Sequence, residues 1–478
     1  MARDPRGEYG LNVSEASGDA VTKAQVAQGL TTLCEWAAGA RFDAIPPRVV
    51  SQAVLILGDN IAATLSAGEE PEVRAYHEHL IAGRTAQRAT LVRRGAPRVS
   101  MIEAALGNGL AITWNELDDG YTRTAIHPGA LSQPLILAAA EAENATLSDT
   151  LRATILAYEI GTRFAGAWPG TLPRLHPHGV YNAVCSAAGL ALLRRVGSAE
   201  LLRALTAAAT MVSPAPNSHP IEGALVRNAW PAAGAWLGHF ACDMARLGIA
   251  GTAAGPHDVF STGLGAPGKP EELTAGLGAD WTICDGYHKL YAACHHSHAA
   301  MEAIESLLVA RPELRGGTQV KSVLMEGSAM AMNFANPAPE TTLGAKFSIP
   351  HAVAATLVHG ADAPGNFLDP SLRDDAIIAM RQRVAMRQLA VVKPWPLDRP
   401  ARVTLELADG SRLSADCEAA LGSPARPLDA QRVLQKIRDL AGRDAPGLEP
   451  AVVKLRQAIA AGRIGNATCP EWVAEFFA

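Results

Sequence analysis

A mainly α-helical protein, with a large all-helical part and a smaller α+β part, is the fold this sequence predicts. Three observations carry the prediction. The chain has 478 residues, more than a single hydrophobic core fills, so two domains are expected. Hydrophobic residues make up 48% and aromatics only 5%, with Ala and Gly abundant and β-branched runs rare, a mixture that suits close-packed helices. The texture then changes after "GIAGTAAGPHDVFSTGLGAPGKPEEL", from helical periodicity to alternating segments.

The polar start, residues 1–20, reads as a flexible tail. Residues 21–269 carry apolar positions mostly at helical spacing, as in "ALSQPLILAAAEAENATL" and "LRATILAYEIGTRFAGAW". Gly/Pro clusters such as "GAPRVS" and "MVSPAPNSHPIEG" mark loops between helices. Residues 270–422 read as the α+β part. There "TQVKSVLMEGS" and "ARVTLELADGSRLSADCEA" alternate like a strand and a hairpin, while "SHAAMEAIESLLVA" and "IPHAVAATLVHGA" are helical. Residues 423–478, beginning "PLDAQRVLQKIRDLAG", return to helical periodicity, and periodicity alone leaves open whether they rejoin the first part.

Several function classes find no support. The net charge of -5 is modest, and no basic stripe interleaved with aromatics offers a nucleic-acid surface. No apolar run of membrane-spanning length lacks charges, and the start lacks a signal-peptide core, so no membrane partner is expected. Seven dispersed cysteines form no CxxC pair, which fits a reduced, cytoplasmic setting without disulfides or a zinc ribbon. No GxGxxG, P-loop or serine nucleophile elbow stands in the required context.

Four clusters could carry chemistry. In "NELDDGYTRTAIHPG", three acids (Glu116, Asp118, Asp119) precede His127, which Pro128 pushes into an extended or turn conformation before an Ala-rich helix. Free N–H groups at that helix start could receive a carboxylate; the plainer reading is a solvated acidic turn with a capping histidine. "RLHPHGVYNAVCSAAG" repeats the pattern with Arg174, His176, His178 and Tyr181, and two such imidazoles would suit acid/base work on one substrate. "NSHPIEGALVRNAW" holds Arg227 beside Asn228, which could grip an anion or pair with Glu222. "DGYHKLYAACHHSHAAMEAIESLL" packs His288, Lys289, His295, His296 and His298 together, more readily a cationic wall for carboxylates than a zinc site.

These stretches, together with "GNGLAITWNELDDGYTRTAIHPGA", "EGALVRN", "HKLYAACHHSHAAMEAI" and "TTLGAKFSIPHAVAATLVHG", stand in the order seen in the MmgE/PrpD family, which the chain resembles from roughly 25 to 440. That family includes 2-methylcitrate dehydratases, cis-aconitate decarboxylases and iminodisuccinate epimerases. The resemblance implies a helical domain assembled from both chain ends, an α+β lid domain, a homodimer, no metal or organic cofactor, and a site between the domains. Carried over by position, it places the family's acidic residue on Glu116, its His-Pro positions on His127 and His176, and its basic positions on Arg227 and Lys289. Two departures stand out: Thr113 replaces a histidine of many members, and Tyr181 takes another histidine position.

The expected activity is therefore proton transfer next to a carboxylate of a small di- or tricarboxylate, by dehydration or epimerisation, with decarboxylation as the alternative. The catalytic candidates are His127, His176, Tyr181, Lys289 and Glu116, the last orienting a ring. Arg227, Thr113, His298 and Asn228 are the substrate-binding candidates. Asp118 and Asp119 read as loop-structuring residues. A family member that has lost its chemistry and only binds carboxylates is the rival expectation.

Overall fold

The computed structural model describes residues 13–83, 85–171 and 174–478. Part of the expected tail, residues 1–12, lies outside the described residues; residues 13–20 are not tail but the start of the first helix, Val13–Gly39.

The protein is mainly α-helical, and its largest core is built by helices Pro47–Ser66, Pro128–Ala142, Leu147–Ala167, Asn182–Leu193 and Trp230–Arg246. Helix Asn182–Leu193, "NAVCSAAGLALL", is buried at every position and touches three of the others. Small residues make this possible. A Cβ on Gly238 would lie 2.5 Å from Ser186 Cβ and 2.7 Å from the Ala187 nitrogen, so the backbones approach only because glycine stands there. The last helices, Ala430–Ala441, Leu448–Ala460 and Cys469–Phe476, return to this core, where Val433, Ile437 and Val452 pack with residues of the N-terminal half.

Helix Pro47–Ser66 is, among the described residues, the one long and apolar enough to cross a membrane, but 83% of its apolar window is buried inside the protein. Asp59 and Asn60 in its middle are fully buried and each holds polar partners.

A second core surrounds a four-stranded sheet in the order Val384–Gln388, Val320–Gly327, Ala401–Leu407, Arg412–Cys417. The first pair is parallel and the others antiparallel. Val320, Val323, Met325, Val403, Leu405 and Leu407 supply its apolar face, and helices His295–Ala310 and Ile349–His359 pack against it. The predicted strand and hairpin are both present. Strand Val384–Gln388 was not legible, because its burial is low throughout and "VAMRQ" lacks a clean alternation. A two-stranded ribbon, Ala89–Thr90 with Arg98–Val99, also interrupts the predicted helical part.

The two cores meet where loop 112–127 faces residues 286–296. The Tyr287 N–H donates to Gly120 O at 2.9 Å.

Candidate active site

The acids of "NELDD" are not solvated. Glu116 is 1% exposed, and Asp118 and Asp119 are fully buried. Two residues of the loop, Glu116 (φ 53°) and Ala125 (φ 55°), sit in the left-handed region, a conformation costing about 1 kcal/mol or more each for residues with a Cβ. Both line the cavity between the two cores, where the surrounding packing holds them. Asp119 fastens the loop: Asn60 Nδ2 donates to its Oδ1 at 2.8 Å, and its own N–H donates back to Asn60 Oδ1 at 2.9 Å. The glycine of "HPG" belongs to the same construction, since a Cβ on Gly129 would lie 2.2 Å from Asp119 Oδ1.

A buried ion network follows. Arg227 Nη2 lies 2.5 Å from Glu116 Oε1, and Lys289 Nζ lies 2.9 Å from Glu116 Oε2 and 3.3 Å from Asp118 Oδ1. Asp118 Oδ2 accepts from His127 Nδ1 at 2.6 Å. Burial pushes both carboxyls upward, but Arg227 and Lys289 at Glu116, and Lys289 and His127 at Asp118, hold them below the usual carboxylate range. Burial likewise lowers Lys289, yet Asp118 and Glu116 more than reverse this, so the ammonium stays charged. His127 is lowered by burial against the opposing charge of Asp118, and is neutral at pH 7.

The partners fix the proton positions. With Nδ1–H on Asp118, His127 carries its lone pair on Nε2, 3.3 Å from the Tyr287 hydroxyl. At His176 the polarity is reversed: Nδ1 accepts from the His178 N–H at 3.1 Å, which leaves the proton on Nε2. His127 and His176 both line the cavity, and the His178 ring stands between them, 4.4 Å from one centroid and 4.5 Å from the other. Burial holds His176 and His178 well below the ordinary histidine value. The cavity thus carries one imidazole able to take a proton and one, itself neutral, able to donate a hydrogen bond.

The structure brings Glu116, His127, His176 and Arg227 onto one cavity wall, with Lys289 directly behind Glu116. Other expectations need correction. It is Asp118, not Glu116, that orients the His127 ring, so Asp118 is more than a loop residue. Arg227 pairs with Glu116 rather than Glu222. Tyr181 turns away: its hydroxyl donates to Trp168 O at 2.8 Å, and its ring packs on Phe260, because an apolar aromatic nest lies on that side. His298 points into the sheet-bearing part, with Nε2 3.0 Å from Ala293 O. Thr113 contributes its backbone carbonyl, 3.2 Å from Arg227 Nη1, rather than its side chain, and Asn228 Oδ1 braces the same nitrogen at 3.3 Å. His288 is taken up by Asp59 at 2.6 Å. Sequence reasoning assigned no site role to Asn217, Tyr287 and Arg399, and placed His295 and His296 in a cationic wall for carboxylates; all five line the cavity, but burial holds His295 and His296 well below the ordinary histidine value, so these rings are neutral. The density of rings in "DGYHKLYAACHHSH" was the available signal for three of them; nothing local marked Asn217 or Arg399.

Among the described residues, Asp118, His127 and His178 could bring three ligand atoms within 4.8 Å of one another. A divalent ion there would have to displace the hydrogen bond between Asp118 and His127 and sit against the Lys289 ammonium, so the donor set fits proton transfer better than metal binding.

Asp119 behaves differently from its neighbours. Burial raises its carboxyl to about 7, overriding the Asn60 hydrogen bond. A raised folded pKa means stability present below the unfolded value near 4 and lost as pH rises towards 7, by up to about 4 kcal/mol. Asp119→Asn is expected to remove that loss. Urea midpoints of both proteins at pH 5 and pH 8 check this, and an unchanged pH difference in the variant would refute it.

The description "MmgE/PrpD N-terminal domain" matches residues 31–265, and "MmgE/PrpD C-terminal domain" matches residues 291–450. The chain belongs to the MmgE/PrpD family. Similar proteins within reach of this family member include a cis-aconitate decarboxylase of Aspergillus terreus, 25% identical over 445 residues, covering 87% of this chain and 89% of the relative. A cis-aconitate decarboxylase-like protein oryM of Aspergillus oryzae is 26% identical over 444 residues, covering 86% and 89%. The two matched regions flank residues 266–290; of the ion network, Glu116, Asp118, His127 and Arg227 fall in the first, and Lys289 lies in the interval between them.

Proposed function

We propose that this protein is a lyase or isomerase that moves a proton at a carbon beside a carboxylate of a small di- or tricarboxylate. The observation that carries the reading is the pair of oppositely polarised imidazoles: His127, with Asp118 on Nδ1, and His176, with its proton on Nε2, on one cavity wall with Arg227. His127 Nε2 takes the proton from carbon and, as imidazolium, returns it to what leaves or to the carbon, while the His176 Nε2–H and the Tyr287 hydroxyl stabilise the developing negative charge by hydrogen bonds. The charge that develops on the substrate carboxylate is met by Arg227 and by the free N–H groups at the start of helix Pro128–Ala142. The sheet-bearing part, residues 270–422, would serve as the lid over a helical domain built from 21–269 and 423–478, in a homodimer. None of these steps calls on a cofactor.

Run in the other direction, the same groups deliver a proton. If a C–CO₂⁻ bond breaks, the electron pair remains on the adjacent carbon as an enolate-like anion, and an N–H of the site replaces CO₂ with H. The decarboxylase names of the relatives, which align over most of this chain, support this second reading.

A panel of di- and tricarboxylates followed by NMR in D₂O tests the proposal and separates its branches. Net loss of water, net loss of CO₂, or deuterium incorporation without either marks dehydration, decarboxylation or epimerisation. Turnover of no panel member, with ligands merely stabilising the protein, would sink the catalytic reading. Turnover abolished by EDTA and restored by a metal would sink the cofactor-independent one.

A further inference from the structure

Beside the central cavity lies a larger cleft, about 510 Å³, that the acid/base groups do not explain. The cleft runs between Ala165–Thr171 on the helical side and residues 328–330 and 388–392 on the sheet side. It shares Ala125, His296, Met330 and Arg399 with the cavity. Much of its wall is apolar, from Trp168, Pro169, Ala329, Leu389 and Val392.

Polar atoms are set into this apolar wall with few partners. The indole Nε1 of Trp168, a residue with no exposed surface, has no hydrogen-bond partner, nor do Thr124 Oγ1 and His296 Nδ1, while Arg399 Nε has only the Asp398 carboxylate at 3.7 Å. All four residues line the cleft. The lining also carries charge. Within the cavity, Arg227 and Lys289 are already balanced by Glu116 and Asp118. Arg399 is the cation at the junction, with Asp398 3.7 Å from its Nε, Thr122 O 3.2 Å from Nη2 and His295 Nδ1 3.4 Å from Nη1. Arg123, the other cation of the cleft, is half exposed and lies over the Trp395 ring.

We propose that the cleft is a second subsite of the same active site, which accepts a methylene arm of the substrate and binds the carboxylate at its far end through Arg399. The substrate is then longer than a compact dicarboxylate: one carboxylate lies by His127 and Arg227, an apolar spacer crosses the junction at Met330, and a second carboxylate reaches the cleft. This rests on the reading of the central cavity as a carboxylate site.

Calorimetric titration of the full chain with unbranched dicarboxylates, from succinate through adipate and suberate to sebacate, tests it. Affinity is expected to rise about tenfold or more from succinate to suberate, the increment of one added charge-assisted contact. Arg399→Gln should weaken suberate at least about tenfold more than succinate, and Ala329→Trp, which fills the cleft, should do the same. Longer acids binding no better than succinate, or Arg399→Gln weakening both alike, would overturn the subsite and leave the central reading standing. If succinate binding is absent, or present but indifferent to Arg227→Gln, the central reading fails and the subsite falls with it.

Discussion

His127→Gln is expected to lower kcat by about 10²–10⁴-fold with little change in folding stability, the usual contribution of a positioned acid/base group. The residue is only 12% exposed in its side chain and neutral at pH 7, so the wild-type rate should fall only at pH below the ordinary histidine value. Below that limb the imidazolium forms and no lone pair remains for the carbon-bound proton. Asp118→Asn separates orientation from chemistry. Its carboxylate both fixes the tautomer, through the 2.6 Å contact to Nδ1, and raises the His127 pKa against burial. Without that charge the acid limb must move to still lower pH, while kcat at neutral pH drops because an amide can hold the ring in the wrong tautomer. A limb that moves towards higher pH, or an Asp118→Asn enzyme as active as wild type, would show that His127 is not the group being titrated. Pre-steady-state and steady-state rates from pH 4 to pH 9 read both effects.

Much of the fold was legible because helical periodicity survives tertiary packing. The apolar spacing in residues 128–142 and 147–167 marked real helices, and "LELADGSRLSADC" marked a real hairpin. What failed were short or half-exposed pieces such as Val384–Gln388, which carry too little burial to leave a pattern. At the site, His-Pro and the isolated Arg227 were visible because each is unusual in its local context. The division of labour among the acids was not. Glu116 and Asp118 are two residues apart on an irregular loop with a left-handed residue at 116, and no period tells which carboxylate faces His127 and which faces the two cations. Tyr181 misled for a similar reason: one turn of a four-residue helix decides whether a hydroxyl after "HPHG" reaches the cavity or Trp168. Arg399 comes from more than 100 residues beyond the histidine cluster, and only the tertiary fold brings the two together.

Lys289 supports the strongest expectation about stability. It is 1% exposed in its side chain and is shared by Glu116 and Asp118, while Glu116 has Arg227 as a second cation. Lys289→Met would leave Asp118 buried with only the His127 N–H, so a loss of about 3–5 kcal/mol at pH 7 is expected, the range for removing one partner of a buried pair. The pH dependence identifies the cause. Glu116 and Asp118 have depressed folded values, so their stabilisation is present above the unfolded values near 4 and is lost as pH falls through the folded ones. The deficit of Lys289→Met should therefore shrink on acidification, as the stranded carboxylates take up protons. Lys289 itself, raised, keeps its contribution until the pH exceeds the ordinary lysine value. Lys346 is the internal contrast. It is equally buried, but donates to neutral oxygens, Trp114 O at 2.9 Å and Asn115 Oδ1 at 2.7 Å, and burial brings it down to about 8. Its charged form is disfavoured by folding, so the wild type should gain stability as pH rises from about 8 towards 10, and Lys346→Met should cost much less at pH 7 than Lys289→Met. Equal losses for the two variants in urea denaturation, or a Lys289→Met deficit that grows towards acid pH, would mean that burial alone, and not the pairing with Glu116 and Asp118, sets the worth of Lys289.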